Sequence, residues 1–253
     1  MNNKEPLFSI VTVCYNASQT IERTMNSVLG QTYADFEYII VDGASKDDTL
    51  DLIAAHVDER IVLISEPDRG IYDAMNKGLK RATGTYVWFM NAGDTFYSSA
   101  VLQELAEQWG GDVRPDILYG ETAITDLSGK IVAMRRLKAP EVLTWKSFRN
   151  GMLVCHQSFV AKRVLGEYYD LRYRFSSDVD WCIRSMKKAT SICNTHRILS
   201  CYLEEGATTS NHKASLKERF HIMCKHYGTP VVLLYHLKFA VRYYWAKWVR
   251  GRV

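Results

Sequence analysis

The first ninety residues alternate between short apolar runs and segments with helical spacing, and this alternation restricts the fold more than any other sequence feature. The runs have the length and the β-branched content of strands, and they are Leu7–Cys14, Tyr38–Val41, Ile61–Ser65 and Tyr86–Met90. The segments between them place apolar residues three and four positions apart, at Thr20–Leu29, Asp48–Val57 and Tyr72–Ala82. This order predicts βαβ units and an α/β fold with a mostly parallel central sheet. Because the runs lack an in/out alternation, we expect helices on both faces of the sheet.

The pattern changes after residue 97, where strands and helices no longer alternate regularly. The predicted elements there are helices at Ser98–Trp109, Asp178–Lys188 and Ser215–His226, and strands at Asp116–Thr125, Lys130–Leu137 and Ile192–Leu203. Gly228, Thr229 and Pro230 then interrupt the chain. We therefore expect one domain over residues 1–227, with halves of about 1–97 and 98–227, followed by a C-terminal helical, basic and aromatic extension at 228–253.

Polar residues follow each of the four predicted strands of the first half. The first strand carries Thr12 and is followed by Tyr15 and Asn16; the later polar ends hold Asp42, Glu66, Asp68, Asn91 and Asp94. The carboxyl ends of parallel strands meet at one edge of a sheet, which is where open α/β sheets bind ligands. The alternative is that these loops are polar because Asn, Asp, Ser and Gly form turns and begin helices.

The ligand expected at this edge is a nucleotide diphosphate. No G-x-G-x-x-G follows the first strand and no G-x-x-x-x-G-K-[ST] occurs, which argues against a standard dinucleotide fold and a P-loop ATPase. Asp42 could accept hydrogen bonds from a ribose or a base. Asp94 could bind a divalent cation, which prefers oxygen ligands and bridges diphosphate oxygens.

Two long stretches resemble the family 2 glycosyltransferases, especially the bacterial enzymes that assemble capsule, O-antigen or colanic-acid units. They are FSIVTVCYNASQTIERTMNSVLGQTYADFEYIIVDGASKDDT and SEPDRGIYDAMNKGLKRATGTYVWFMNAGD, and the similarity continues loosely through VCHQSFVAKRVL and FSSDVDWCIRS. The resemblance implies a GT-A fold and an inverting, hexosyltransferase-type enzyme of surface polysaccharide biosynthesis. It also implies Mn²⁺ or Mg²⁺, a nucleotide-diphosphate sugar donor and a saccharide acceptor linked to undecaprenyl diphosphate.

The resemblance assigns donor-side roles to residues of the first half. Thr12, Tyr15, Asn16 and Asp42 correspond to the nucleoside pocket, and Asp68, Asp73, Asn76 and Lys77 to the nucleotide-sugar side. The family's acidic metal motif reads Asn91-Ala92-Gly93-Asp94 here, so Asp94 stands where the metal-binding carboxylate belongs. Since Asn and Gly replace the other acidic positions, we expect diphosphate and water to complete much of the coordination.

The second half supplies the candidate base. FSSDVDW matches the motif of the catalytic carboxylate, with Asp178 as the better match and Asp180 in reserve, and an inverting transfer needs such a base near the acceptor hydroxyl. Both could instead be helix-start residues, one as a cap and one as a first-turn charge. His156 and Gln157 stand at acceptor-side positions, and His212 lies in EEGATTSNH, which resembles a donor-covering loop. A hydrogen-bonded structural histidine and a surface-loop histidine are the alternatives.

The C-terminal segment is basic and aromatic, although the net charge of the whole chain is only +4. From residue 213 onward Glu218 is the only acidic residue, against Lys213, Lys217, Arg219, Lys225, Lys238, Arg242, Lys247, Arg250 and Arg252. This asymmetry predicts an anionic partner for the segment, and Trp and Tyr beside the cations favour a membrane surface. The chain as a whole is only mildly basic, which argues against a nucleic-acid binder. The N-terminus lacks a signal-peptide core, so we expect a cytoplasmic protein on the inner face of the plasma membrane. A helix packed on the catalytic domain is the alternative.

Two other functions compete with a glycosyltransferase. A sugar nucleotidyltransferase on a related fold should carry a glycine-rich, basic phosphate loop after the first strand, but VCYNASQT has neither glycine nor a basic residue. A non-catalytic scaffold that binds nucleotide sugars would account for the altered NAGD motif.

Overall fold

The computed structural model describes residues 5–109, 111, 113–166, 168–204 and 212–250. In the last of these ranges, side chains are described for residues 213–238 and for Val241. The strands are β1 (Phe8–Cys14), β2 (Phe36–Asp42), β3 (Ile61–Ser65), β4 (Tyr86–Phe89), β5 (Thr95–Phe96), β6 (Ile117–Thr125), β7 (Ile131–Met134), β8 (Phe159–Lys162) and β9 (Ile192–Leu203). The helices are α1 (Ile21–Leu29), α2 (Thr49–Ala54), α3 (Ile71–Arg81), α4 (Val101–Trp109), α5 (Ser177–Lys188), α6 (His212–Tyr227) and α7 (Thr229–Arg250).

These described residues place all the strands in one sheet, ordered β3-β2-β1-β4-β8-β6-β9-β5, with β7 paired to β6. The first four strands are parallel, with Cys14 opposite Asp42 and Asp42 opposite Ser65. Their carboxyl ends therefore meet at one edge, as predicted. β8 runs antiparallel to β4 and joins it to β6, so the two halves of the chain share a continuous sheet.

Helices cover both faces of this sheet, which confirms the expectation drawn from the unbroken apolar runs. Along β1, Phe8 and Ile10 face a core that α1, α2 and α4 complete, whereas Val11 and Val13 face a core that α3, α5 and α6 complete. α3 approaches β1 closely at Gly78, where an added Cβ would clash with the Val11 side chain.

A buried ion cluster joins α5 to α6. Asp180 is fully buried, and its carboxylate accepts hydrogen bonds from Arg184 at 2.6 Å, from Lys225 at 2.9 Å and from His226 at 2.8 Å. Burial by itself would raise the pKa of Asp180, but these donors outweigh it and hold the pKa well below its usual range. The Asp180 carboxylate therefore stabilises the packing of α6 against α5.

The C-terminal segment is a helix that begins directly after a break. Gly228 has a φ of +84°, which ends α6, and Pro230 lies in the first turn of α7, where a missing N–H costs nothing. Val232 is buried against the domain, whereas leucines on the same helix are exposed. Within the described residues, no helix has the length and apolarity that crossing a bilayer requires.

We expect Asp180→Asn to lower the free energy of unfolding by about 2–3 kcal/mol at pH 7, because it removes the buried charge that pairs with the partly exposed cations of Arg184 and Lys225. Urea denaturation followed by circular dichroism measures this change. Since the folded-state pKa of Asp180 is depressed, the difference from wild type should shrink as the pH falls below about 4, where the unfolded-state carboxyl becomes protonated. Glu59→Gln, at an exposed position, is the control and should stay within about 0.5 kcal/mol. Equal effects of the two substitutions would contradict this role.

Candidate functional site

A cavity of about 720 Å³ opens at the carboxyl edge of the parallel strands. The ends of β1 and β4, the start of α3 and the turn before β8 form its walls, and residues of α5 and α6 close it from the second half. The polar and charged side chains that line it are Tyr15, Asn16, Thr20, Asp68, Tyr72, Asn91, Asp94, Arg135, His156, Gln157, Asp178, Tyr202 and Arg219. The sheet therefore brings predicted donor-side and acceptor-side residues into one space.

Asp94 lies at the floor of this cavity and is only 4% exposed. Its Oδ2 accepts a hydrogen bond from Nε2 of Gln157 at 2.7 Å, and its Oδ1 accepts one from the backbone N–H of Leu203 at 3.1 Å. Burial raises the pKa of the Asp94 carboxyl to about 7, although both donors act in the opposite direction. The negative charge of this carboxylate is therefore only partly stabilised by its surroundings.

Asn91 provides a second oxygen in the same turn, whose backbone closes with the N–H of Asp94 donating to the carbonyl of Asn91 at 2.9 Å. The side-chain Oδ1 of Asn91 is buried, lines the cavity and has no hydrogen-bond partner among the described residues. A buried oxygen without a donor, next to an under-compensated carboxylate, fits a hard divalent cation. The described residues contain no group of three or more His, Cys, Asp or Glu side chains that could bind a metal by themselves.

Asp178 faces the cavity from the first turn of α5 and accepts a hydrogen bond from the Tyr72 hydroxyl at 3.0 Å. Aromatic rings support this pair: Tyr72 stacks on Tyr169 at 5.5 Å between centroids, and Tyr169 stacks on Trp181 at 5.2 Å. Burial raises the pKa of Tyr72 well above its usual value, so its hydroxyl stays protonated and keeps donating. Asp178 is thus a half-buried carboxylate with a fixed orientation.

His156 lies beside this aromatic group and is 4% exposed. Its Nε2 is hydrogen-bonded to the Tyr169 hydroxyl at 2.7 Å, and its ring stacks on Phe89. Burial lowers the pKa of His156 to about 4, despite the nearby charge of Asp178. The imidazole is therefore neutral at physiological pH and serves as an orienting group. Its neighbour Gln157 acts on the floor of the cavity, where it holds Asp94.

The predicted donor-side residues divide into two groups. Tyr15, which is 61% exposed, lines the cavity together with Asn16 and Asp68. Thr12 is fully buried and donates to the backbone oxygen of Met90 at 2.7 Å. Asp42 is also fully buried and accepts hydrogen bonds from the hydroxyls of Ser45 and Ser65. Thr12 and Asp42 thus lie behind the wall, and a direct contact with a nucleoside would need an exchange of these bonds.

Three further predicted residues lie on α3, outside the lining. Asp73 accepts from the backbone N–H of Arg69 at 3.0 Å, and Asn76 exchanges two hydrogen bonds with the backbone of Tyr169, at 2.6 and 3.0 Å. Lys77 forms an ion pair with Glu66 at 2.9 Å. In this structure they secure the loops around the cavity, since their side chains are engaged with the protein.

Two predicted residues of the second half do not contribute a described side chain to the cavity. Asp180, the reserve candidate for the base, is turned away into the ion cluster of α5 and α6. Asp178 and Asp180 diverge because positions two apart on a helix do not share a face. The His212 side chain and residues 205–211 of the predicted covering loop lie outside the described residues.

Sequence reasoning missed five polar cavity residues: Thr20, Tyr72, Arg135, Tyr202 and Arg219. Tyr72 reads as an apolar helix position, and its hydroxyl acquires a role only through Asp178, 106 positions away. Arg135 carries no sequence signal, since its cavity position follows from the fold. The basic bias of the C-terminal segment did include Arg219, but it gave no indication of a cavity.

Comparison with known proteins agrees with this geometry. The sequence model of the family described as Glycosyl transferase family 2 matches residues 9–164. A Mycobacterium bovis protein, the PGL/p-HBAD biosynthesis glycosyltransferase, is 32% identical over 216 residues, which cover 81% of this chain and 80% of that protein. The putative teichuronic acid biosynthesis glycosyltransferase TuaG of Bacillus subtilis is 29% identical over 238 residues, covering 88% and 93% of the two chains.

Solved structures show the same fold. S. aureus TarS in complex with UDP-GlcNAc superposes with a TM-score of 0.65 at 19% identity, covering 85% of this chain and 64% of that one. The mannosyltransferase PcManGT of Pyrobaculum calidifontis, in complex with GDP-Man and Mn²⁺, has a TM-score of 0.57 at 16% identity, covering 94% and 76%. The α/β fold predicted from the sequence is thus the GT-A fold. By its matched family model and its relatives, the chain belongs to glycosyl transferase family 2 and is a glycosyltransferase.

Proposed function

We propose that this glycosyltransferase transfers a sugar, with inversion, from a nucleotide-diphosphate sugar to a lipid-linked saccharide in the synthesis of a surface polysaccharide. The observation that carries the proposal is that Asp94 and Asp178 line the same cavity. The names of the relatives support it, since one is a putative teichuronic acid biosynthesis enzyme and a neighbouring structure binds UDP-GlcNAc.

The donor occupies the side of the cavity formed by the ends of β1 and β4. Tyr15 is exposed enough to contact a base, and Asn16 and Asp68 add polar atoms for the sugar parts. The donor's diphosphate lies near Asn91 and Asp94, which would hold Mn²⁺ or Mg²⁺. When bound, that cation supplies positive charge to the leaving diphosphate.

Asp178 acts as the general base. It takes the proton from the acceptor hydroxyl while that oxygen bonds to the anomeric carbon and the bond from this carbon to the diphosphate oxygen breaks. The Tyr72 hydrogen bond and the stacked rings of Tyr169 and Trp181 hold the carboxylate in one orientation, which reduces the entropy lost on reaching the reactive geometry. The neutral His156 adds no competing charge beside it.

The catalytic unit spans residues 1–227, and residues 228–253 attach it to the inner face of the plasma membrane. On α7 the exposed leucines are Leu233, Leu234 and Leu237, and Val241 extends the same surface. They form an apolar stripe that is more than half exposed among the described residues, and Lys238 lies beside it. An apolar stripe beside cations fits insertion at the headgroup level of an anionic bilayer, where a lipid-linked acceptor resides.

Asp178→Asn should reduce turnover by about 10² to 10⁴-fold, the usual contribution of a general base, while nucleotide affinity stays within twofold. Nucleotide release from a panel of sugar nucleotides with membrane-extracted acceptor measures turnover, and calorimetry with UDP and GDP measures affinity. Asp170→Asn is the matched control, because Asp170 precedes α5 and pairs with Arg172 outside the cavity. Wild-type turnover in Asp178→Asn, or an equal loss of turnover in Asp170→Asn, would refute the assignment of Asp178 as the base.

Asp94→Asn should abolish the effect of Mn²⁺ on nucleotide binding. In wild type we expect Mn²⁺ to raise the affinity for UDP or GDP at least tenfold, because a cation held by Asp94 would offset the negative charge of the diphosphate. Calorimetric titrations with and without Mn²⁺ measure this. Asp51→Asn, on the exposed face of α2, should keep the wild-type response. An Mn²⁺ effect that persists in Asp94→Asn would remove Asp94 from the metal site.

Leu234→Ser combined with Leu237→Ser should weaken membrane binding by roughly tenfold or more, since each leucine loses its apolar contact with the bilayer. Co-sedimentation of the full chain with phosphatidylglycerol vesicles measures the affinity. Val113→Ser combined with Val164→Ser is the control, because these residues are 87% and 80% exposed but lie outside α7. If both double variants bind vesicles like wild type, α7 is not the attachment site.

A further inference from the structure

Arg219 lies on the face of α6 that is turned toward the domain. Ser215, Ile222 and His226 occupy the same helical face, at spacings of four, three and four residues. Ser215 is 2% exposed and Ile222 is fully buried. A long cation between two such positions is directed into the protein, and the Arg219 side chain lines the cavity.

Contacts on both sides fix this position. Toward the start of α6, the hydroxyls of Ser176 and Ser215 are 3.0 Å apart, and the carboxylate of Glu218 accepts from the backbone N–H groups of Arg174 and Phe175, at 2.9 and 2.8 Å. Toward its end, Lys225 and His226 hold Asp180. α6 is therefore clamped onto α5, and Arg219 is presented to the cavity by a secured helix.

Arg219 differs from Arg135, the other cation of the cavity lining, in the state of its guanidinium Nε. Its Nε is buried and has no hydrogen-bond partner among the described residues. By contrast, the guanidinium of Arg135, which also lines the cavity, donates to the backbone oxygens of Met152 and Leu153 at 2.6 and 3.0 Å. Because a buried donor without an acceptor is costly, an unpaired guanidinium Nε in a ligand cavity points to an anionic group supplied by the ligand.

Hydrogen bonds at the start of α5 place Arg219 at the Asp178 end of the cavity. The hydroxyl of Ser176, two residues before Asp178, is 3.0 Å from that of Ser215, which lies one helical turn before Arg219. The charge of Arg219 accordingly acts on the Tyr72 hydroxyl and lowers its pKa, against the larger effects of burial and Asp178, which raise it. That hydroxyl donates to Asp178. In an inverting transfer the base stands on the face opposite the leaving diphosphate, so a cation beside it is positioned for the acceptor.

We propose that Arg219 binds an anionic group of the acceptor, a phosphate or a carboxylate, and thereby selects charged saccharides. This inference rests on the proposed function, because it assumes that Asp178 marks the acceptor side. A guanidinium forms paired, charge-assisted hydrogen bonds with either oxyanion, which a lysine cannot reproduce.

The test uses the full chain saturated with UDP and Mn²⁺, so that the donor site is filled. Glucose 1-phosphate, methyl glucuronoside and methyl glucoside are titrated separately by calorimetry as phosphate, carboxylate and neutral probes. We expect wild type to bind at least one charged probe roughly ten- to a hundredfold more tightly than the neutral one. Arg219→Gln should lose this preference and Arg219→Lys should keep part of it. Lys217→Gln, at an exposed position of the same helix, should retain it.

The stronger of the two charged probes identifies the group. Equal affinities of wild type for charged and neutral probes would overturn the inference, and so would an unchanged preference in Arg219→Gln. If Arg219→Gln instead weakens UDP binding by the same factor, Arg219 serves the donor diphosphate and the acceptor role is refuted. Failure of wild type to release nucleotide from any sugar nucleotide would refute the proposed function, whereas the probe titrations would still decide the role of Arg219.

Discussion

The site depends on the hydrogen bonds that the buried carboxylate of Asp94 accepts. Asp94 follows β4 of the parallel half, and it accepts hydrogen bonds from Gln157, in the turn before β8, and from Leu203 at the end of β9. One side chain thus joins three segments that are far apart in sequence at the floor of the cavity. The same burial raises the pKa of Asp94 to about 7, because two neutral donors do not fully replace the hydration of a carboxylate. Burial of Asp94 therefore both links these three segments and favours the binding of a cation.

The opposite wall is built by aromatic packing rather than by charge. Tyr72, Tyr169 and Trp181 stack in succession, and His156 is neutral because its burial is nearly complete. Among the described residues, the half-buried Asp178 has one side-chain donor, the Tyr72 hydroxyl. A rigid apolar support around one carboxylate is suited to proton transfer, since little has to reorganise as the acceptor loses its proton.

The two aspartates of FSSDVDW show how helix geometry separates roles that look alike in sequence. Asp178 faces the cavity, whereas Asp180 is enclosed by Arg184, Lys225 and His226. The ion cluster of Asp180 holds α6 against α5, and α6 places Arg219 in the cavity lining. Asp180, the reserve candidate for the base, thus contributes to the site indirectly, because it fixes the position of α6.

Local pattern by itself determined the α/β fold, the parallel direction of the first four strands and the edge at which their polar ends meet. These follow from periodicity, strand length and the geometry of parallel sheets. It did not reveal β5, whose two residues are too short a run for any period to show, or β8, which lies in a region where strands and helices do not alternate regularly. Tertiary structure decided which polar residues face the cavity: Asn91, Asp94 and Asp178 do, whereas Thr12 and Asp42 lie behind its wall. It also decided the roles of Tyr72 and Arg219. The reason is that exposure and partnership depend on contacts between residues about a hundred positions apart, such as Tyr72 with Asp178, and no local spacing encodes such contacts.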